Sequence, residues 1–171
     1  MLTAIAVLSG GIVYVVRSAP TWYTHIRYPL HYEAIVRAHA RNYELDPALL
    51  AAVIYQESKF DASARSSSGA IGLMQLLPET AEAIAIRTGG TRFQVADLYD
   101  PDINVRYGCW YLRHLLLKYG DEETALAAYN AGQSNVDRWI RDGSGIRFGE
   151  TRHYVKNVEE LKTVYHHTYD L

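Results

Sequence analysis

A chain of 171 residues is the size of one ordinary domain and long enough to bury a real core. Its 49% hydrophobic and 21% charged residues are those of a globular protein, and a formal charge of −2 with no long basic run argues against a nucleic-acid partner. The single cysteine, Cys109, excludes an internal disulfide and reads as a buried, inert thiol inside an apolar helix.

The chain opens on residues 2–16, LTAIAVLSGGIVYVV, which carry no charge and end at Arg17. The run is shorter than the ~20 residues that span a bilayer, and fits a signal h-region or the end of a membrane anchor. Nothing basic precedes it, while Arg17 and Arg27 follow it, the wrong side for an exported protein under the positive-inside rule. A start lying further upstream would resolve that conflict. Arg17 and Pro20 crowd Ser18-Ala19, so an anchor is preferred to a cleaved peptide. A buried first helix is the alternative, and Gly10-Gly11 would weaken it. Residues 1–27 are therefore set apart as anchor or signal segment plus linker, and residues 28–171 as the folded domain.

From Tyr28 the chain reads as helices with clear punctuation. Tyr32, Ile35, Val36, His39 and Tyr43 have helical spacing. Asp46-Pro47 is an N-cap followed by proline at the first helical position, and the helix continues through ALLAAVIYQESKF. Pro78 opens another helix that Gly89-Gly90 closes. Asp100-Pro101 repeats the start signal for a segment reaching Tyr119 and ended by Gly120. Asp121 caps the next helix, which stops near Gly132; a short helix around Val136 to Ile140 and a last one from about Glu150 follow. No period-two run supports a major sheet. Only the Ser- and Gly-rich residues 63–75 lack a helical period. The prediction is an all-α single domain with a small irregular or β insert after the second of these helices, the one that carries Glu57, and irregular segments on a rigid scaffold are where function tends to sit.

Four features carry candidate chemistry. Glu57 follows Val53 and Ile54 on nearly the same helical face. A carboxyl there is either desolvated, which raises its pKa toward that of a general acid, or a rim residue at an unfavourable helix C-terminus. The sequence leaves both open. Gly69-Ala70-Ile71-Gly72-Leu73-Met74-Gln75 holds two glycines that permit positive φ, and Gln75 offers donors and an acceptor at one tip. By itself it is a glycine-containing turn leading into a helix. Ala127-Ala128-Tyr129-Asn130-Ala131-Gly132 sets a ring beside an amide, or is a plain helix end. Glu150-Thr151-Arg152-His153-Tyr154 opens the final helix. The seven histidines have no paired-ligand spacing, so no metal is expected.

Taken in order, E-S, G-L-M-Q, A-Y-N and E-T-x-x-Y-V resemble the soluble lytic transglycosylase family, whose catalytic domain is goose-type-lysozyme-like. The longest matching stretch runs from Glu57-Ser58-Lys59-Phe60 to Pro78-Glu79-Thr80-Ala81, and the resemblance covers roughly residues 32–164. It implies that Glu57 is the catalytic acid/base. It implies that Ser66, Gly72, Met74 and Gln75 line the cleft around the muramic acid subsite. Tyr129 and Asn130 would stand beside the glutamate, and Glu150 and Tyr154 would complete the cleft. The implied reaction cleaves the β-1,4 bond between N-acetylmuramic acid and N-acetylglucosamine in peptidoglycan, closing a 1,6-anhydro ring without metal or cofactor. It implies an extracytoplasmic protein, anchored or secreted, working as a monomer on glycan strands. A hydrolytic muramidase and a non-catalytic wall-binding module are the alternatives.

Overall fold

The structure, a computed structural model, describes residues 21–171. The apolar run at residues 2–16 lies outside the described residues. Among the described residues eight α-helices follow one another: α1 (Thr21–Arg27), α2 (Glu33–Asn42), α3 (Pro47–Ser58), α4 (Pro78–Thr88), α5 (Pro101–Tyr119), α6 (Glu122–Ala131), α7 (Gln133–Asp142) and α8 (Gly149–Tyr169), with a 3₁₀ turn at Val95–Tyr99 before α5. Among the described residues there is no sheet, so the all-α expectation holds. The β character of the insert is reduced to two isolated bridges, Arg65 with Ile71 and Ile71 with Leu76. No helix of the described residues is long and apolar enough to cross a membrane.

The start signals act as the sequence suggests. Asp46 accepts from the backbone N–H groups of Ala48 (2.9 Å) and Leu49 (3.4 Å), Asp100 from that of Ile103 (3.0 Å), and Asp121 from that of Thr124 (2.8 Å). Each such cap is worth about 1 kcal/mol, because it pairs an N–H that the helix leaves unpaired. Gly89 and Gly120 end α4 and α5 in left-handed geometry.

Helix α3 is the axis of the fold. Residues 48–55 are all buried, so the helix has no wet face over two turns. Helix α8 lies along it, contributing Val155, Val158, Leu161 and Tyr165 to the same core, while α5 and α6 contribute Val105, Cys109, Leu112, Leu115 and residues 125–128. A second, smaller cluster of Ile71, Leu76, Ile84, Leu98 and Tyr107 joins the insert, α4 and the 3₁₀ turn. Cys109 is fully buried, and burial pushes its thiol pKa far up, as expected of an inert side chain.

Three boundaries differ from the sequence reading. Helix α3 stops at Ser58 instead of running to Phe60, because Lys59 (φ 56°) and Phe60 (φ 66°) both turn left-handed. That turn buries the Phe60 ring against Tyr165 at 6.3 Å. Helix α7 begins at Gln133, directly on Gly132 at φ 83°, with no polar cap side chain to announce it. Residues 21–27, expected as linker, form α1, held to the body where Arg27 donates to the Tyr55 hydroxyl and that hydroxyl donates to the Arg27 carbonyl (2.9 Å).

Candidate active site

Glu57 sits one residue before the end of α3, at the wall of a cleft of about 400 Å³. It lines this cleft and is otherwise largely enclosed by protein. Burial is the dominant influence and pushes its pKa up to about 7. The Tyr154 hydroxyl, which donates to Oε1 at 2.7 Å, and the Lys59 charge pull it only part of the way back. Of the two readings left open by the sequence, the desolvated acid is the one realised. At neutral pH the group is divided between proton donor and proton acceptor.

The insert faces it. Its chain is held in tight turns: the Ile71 and Leu76 backbones exchange hydrogen bonds at 3.0 and 3.1 Å, and the Gly72 N–H donates to the Ala64 carbonyl at 2.9 Å. Gly72 has φ +79°, and a Cβ there would lie 2.3 Å from Asn104 Nδ2, so only glycine fits. Gln75, also at positive φ (46°), donates its amide to the carbonyls of Ala64 (3.2 Å) and Gly72 (3.0 Å). Its Oε1 is thereby left as the open acceptor. The insert is tied to α3 where the Ser58 hydroxyl donates to the Leu73 carbonyl at 2.8 Å.

Of the nine residues implied by sequence, Glu57, Ser66, Gln75, Tyr129, Asn130 and Glu150 line the cleft together. Gly72, Met74 and Tyr154 do not. Met74 is fully buried and fills the notch over Gly108, where an added Cβ would approach its sulfur to 2.2 Å. It contributes its backbone carbonyl, which accepts from the Tyr129 hydroxyl at 2.8 Å. Tyr129 therefore offers the cleft a ring and not a free hydroxyl. Tyr154 is buried behind Glu57 and acts through it. Asn130 is fixed by Thr151, whose hydroxyl donates to its Oδ1 at 2.8 Å and joins the end of α6 to the start of α8.

Three contributors escaped the sequence reading. Asn104, fully buried near the start of α5, donates to the carbonyls of Ile71 (2.9 Å) and Leu98 (2.8 Å) and accepts from the Met74 N–H (2.8 Å). It satisfies three backbone groups of irregular chain that would otherwise be buried unpaired. Its signal was an amide between Ile103 and Val105, one turn before Gly108, on a helix otherwise read only for apolar spacing. Tyr111 and Thr80 also line the cleft, and the Tyr111 ring packs on that of Tyr129 at 5.5 Å. From sequence Tyr111 reads as core packing and Thr80 as part of the start of α4, so neither stands out as a cleft residue.

Comparison with known proteins bears on this site. Residues 34–146 match the family described as "Transglycosylase SLT domain". The chain is 32% identical over 158 residues to the soluble lytic murein transglycosylase of Salmonella typhimurium, covering 82% of this chain and 24% of that protein. It is 39% identical over 104 residues to a transglycosylase of Enterobacteria phage PRD1, covering 61% and 36%. Among solved structures, an inactive mutant of a lytic transglycosylase from Pseudomonas aeruginosa superposes with a TM-score of 0.80 at 32% identity, over 93% of this chain and 28% of that one. The 70 kDa soluble lytic transglycosylase of Escherichia coli does so with a TM-score of 0.78 at 27% identity, over 91% and 29%. The chain thus spans about a quarter of the length of the Salmonella protein and of the Pseudomonas structure.

Proposed function

The chain belongs to the transglycosylase SLT family, and we propose that it is a peptidoglycan lytic transglycosylase in which Glu57 performs both proton transfers. The observation that carries this reading is the Glu57 carboxyl: largely enclosed at the end of a helix buried over residues 48–55, lining the cleft, with its pKa pushed up to about 7. A glycosidase that adds water pairs two carboxylates in defined roles. Here one acid suffices if the nucleophile comes from the sugar. Neutral Glu57 protonates the β-1,4 glycosidic oxygen between N-acetylmuramic acid and N-acetylglucosamine. The N-acetyl group of the muramyl unit stabilises the cation-like C1 as the bond breaks. Glu57, now a carboxylate, takes the proton of the C6 hydroxyl, whose oxygen closes on C1 to give the 1,6-anhydro end. No atom is gained or lost, and Glu57 ends protonated as it began.

The other cleft residues support binding. The Gln75 Oε1 and the Asn130 amide are placed for hydroxyl and N-acetyl groups, and the Tyr129 ring for a pyranose face. Ser66 lies at the far rim, where its hydroxyl also accepts from the Ala70 N–H at 3.0 Å. Gly72 and Met74 shape the loop, and Tyr154 orients Glu57. Glu150, exposed at the cleft and without a hydrogen-bond partner among the described residues, favours a second reading: a carboxylate that activates water would make the chain a muramidase. The substrate implies action outside the cytoplasm, and membrane-bound relatives such as the lytic murein transglycosylase C of Haemophilus influenzae accord with the anchor reading of residues 2–16.

Digestion of purified sacculi by the wild type and Glu57→Gln, followed by mass spectrometry of the muropeptides, tests the proposal. Anhydro ends that depend on Glu57 support it. Ends heavier by one water identify the muramidase, and undiminished cleavage by Glu57→Gln removes Glu57 from the chemistry.

A further inference from the structure

Helix α1 presents its apolar side to solvent. Thr24 is buried, while Trp22 is 64% exposed, Tyr23 43% and Ile26 73%. At about 100° per residue, Trp22, Ile26 and Tyr23 share one sector of the helix about 100° wide, and Thr24 stands nearly opposite. The apolar face therefore points away from the protein, and neither core cluster includes it. The helix is nonetheless firmly seated. Arg27 and Tyr55 exchange hydrogen bonds, and the His25 ring packs edge-on against Tyr169 at 4.8 Å. Just beyond the helix, the Tyr165 and Tyr169 hydroxyls donate to the carbonyls of Pro29 (3.0 Å) and Tyr28 (2.8 Å).

Charge and chain connectivity say what covers this face. Arg27 and Lys59 are both exposed and lie close enough for their charges to repel one another. The acids whose charges reach Tyr28 and Tyr169, Glu160 and Glu33, are already paired with Lys156 (3.8 Å) and Arg37 (2.8 Å). Exposed aromatic rings and an isoleucine beside cations suit the headgroup boundary of an anionic bilayer. The uncharged residues 2–16 are close in sequence: Val16 stands five positions before Thr21, where α1 begins. Five residues reach about 17 Å at full extension, so a bilayer that holds the apolar run lies within touch of α1.

Resting on the anchor reading of residues 2–16, we propose that α1 is an interfacial helix: its Trp22–Tyr23–Ile26 face lies in the headgroup region of an anionic bilayer, with Arg27 and Lys59 toward the lipid phosphates. Tyrosine and tryptophan suit that depth because each has an apolar body and a polar tip. A second copy seated on the same face would bring the cations of both chains together, so the anionic surface is the better match. An anchor alone leaves the domain free to turn on its tether. Docking of α1 removes that freedom, because its hydrogen-bond partner Tyr55 is on α3, two residues before Glu57. The plane of the bilayer then sets the tilt of α3, and with it the direction in which the cleft meets its substrate.

The test places the full chain in vesicles of phosphatidylglycerol and phosphatidylcholine and reads tryptophan emission with and without bromine on the acyl chains. The wild type should lose the share of emission that Trp22 supplies, and Trp22→Phe, which keeps only Trp110 and Trp139, should lose none. Ile26→Ser should lower the ratio of docked to free α1 about fivefold, the effect of half burying one isoleucine. Vesicles of phosphatidylcholine alone should lower it by about fivefold for each cation that sits at the surface. Both substituted side chains are exposed, and thermal melts matching the wild type confirm that the variants fold. The docking is overturned if the chain sediments with the vesicles while wild type and Trp22→Phe are quenched alike, and the anchor reading then stands by itself. It is also overturned if Trp22 is shielded from brominated lipid and the chains cross-link through α1, which makes a second copy the occupant. A chain that stays in the supernatant removes the anchor reading, and the docking with it.

Discussion

The two ends of α3 each carry a carboxylate, and their treatment is opposite. At the N-terminus, burial would raise the Asp46 pKa. The Ala48 N–H and His166 (3.0 Å) hydrogen-bond the carboxylate, the charge of Lys162 (3.3 Å) adds to them, and together they outweigh burial and hold it below the usual range. Lys162 also bridges to Glu122 at 2.8 Å, so the group belongs to a network joining α3, α6 and α8. At the C-terminal end, Glu57 is given one hydroxyl donor and the charge of Lys59, too little to offset its burial. The helix dipole favours the anion at the first end and opposes it at the second. A carboxylate that serves the fold is surrounded until it is reliably charged. A carboxyl that serves chemistry is left short of partners, so that its proton is available near neutrality.

That contrast predicts separable consequences. The largest is on turnover. Glu57→Gln keeps the shape and removes the proton, and should lower turnover by about 10³-fold, equivalent to roughly 4 kcal/mol of barrier. Asp46 lies far along the helix and should leave turnover per folded molecule untouched. A comparable loss on replacing Asp46 would break the division between the two ends.

The next effect concerns stability, with opposite signs. Glu57 has a folded pKa of about 7 against an unfolded value of 4.5. The folded state then binds more protons between those values, so stability is full below pH 4.5 and falls as pH rises to about 7. The loss is about 3 kcal/mol, at 1.36 kcal/mol per pH unit of separation. Glu57→Gln escapes it, and urea unfolding should find the variant more stable than wild type by up to about 3 kcal/mol at pH 8 and nearly equal at pH 4. Asp46→Ala should instead lose about 1–2 kcal/mol at neutral pH, as the cap and its cationic partners go. Because the Asp46 pKa is depressed, its contribution is present above the unfolded value and fades as the pH drops below about 4, so the deficit should shrink there. Equal, same-signed effects in both variants would mean that the two carboxylates are held alike.

The sequence disclosed these ends unequally. Asp46-Pro47 announces itself, since N-cap and proline are local in sequence and their geometry is dictated by adjacent backbone. The same holds for Asp100-Pro101 and for Gly120-Asp121. Glu57 was legible as a candidate from Val53 and Ile54, but its state was not, because the partner that holds it stands 97 positions away at Tyr154. Met74 was misplaced for the same reason: in a motif the side chain and the carbonyl share one letter, and only the carbonyl serves the site. Asn104 was missed because its three partners, Ile71, Met74 and Leu98, come from irregular chain whose path has no period to read. Helix α1 was missed because seven residues are too few for a helical period to stand out.

Tyr154 gives the smallest and most discriminating effect. Its hydroxyl donates to the Glu57 carboxylate, and in doing so favours the charged form. Tyr154→Phe removes that donor and little volume, so the Glu57 pKa should rise further. The reaction needs Glu57 protonated at the outset, and kcat/KM falls on the alkaline side as the proton is lost. The alkaline limb should therefore move up by about one pH unit, the size expected of a lost hydrogen bond to a charged group. Loss of orientation should lower the plateau by about tenfold or less, since the carboxyl remains enclosed by α3. A role confined to packing would change the plateau and leave the limb in place. A limb that moved down would mean that Tyr154 stabilises the neutral acid instead, and Glu57 would then owe its retained proton to a partner and not to the lack of one.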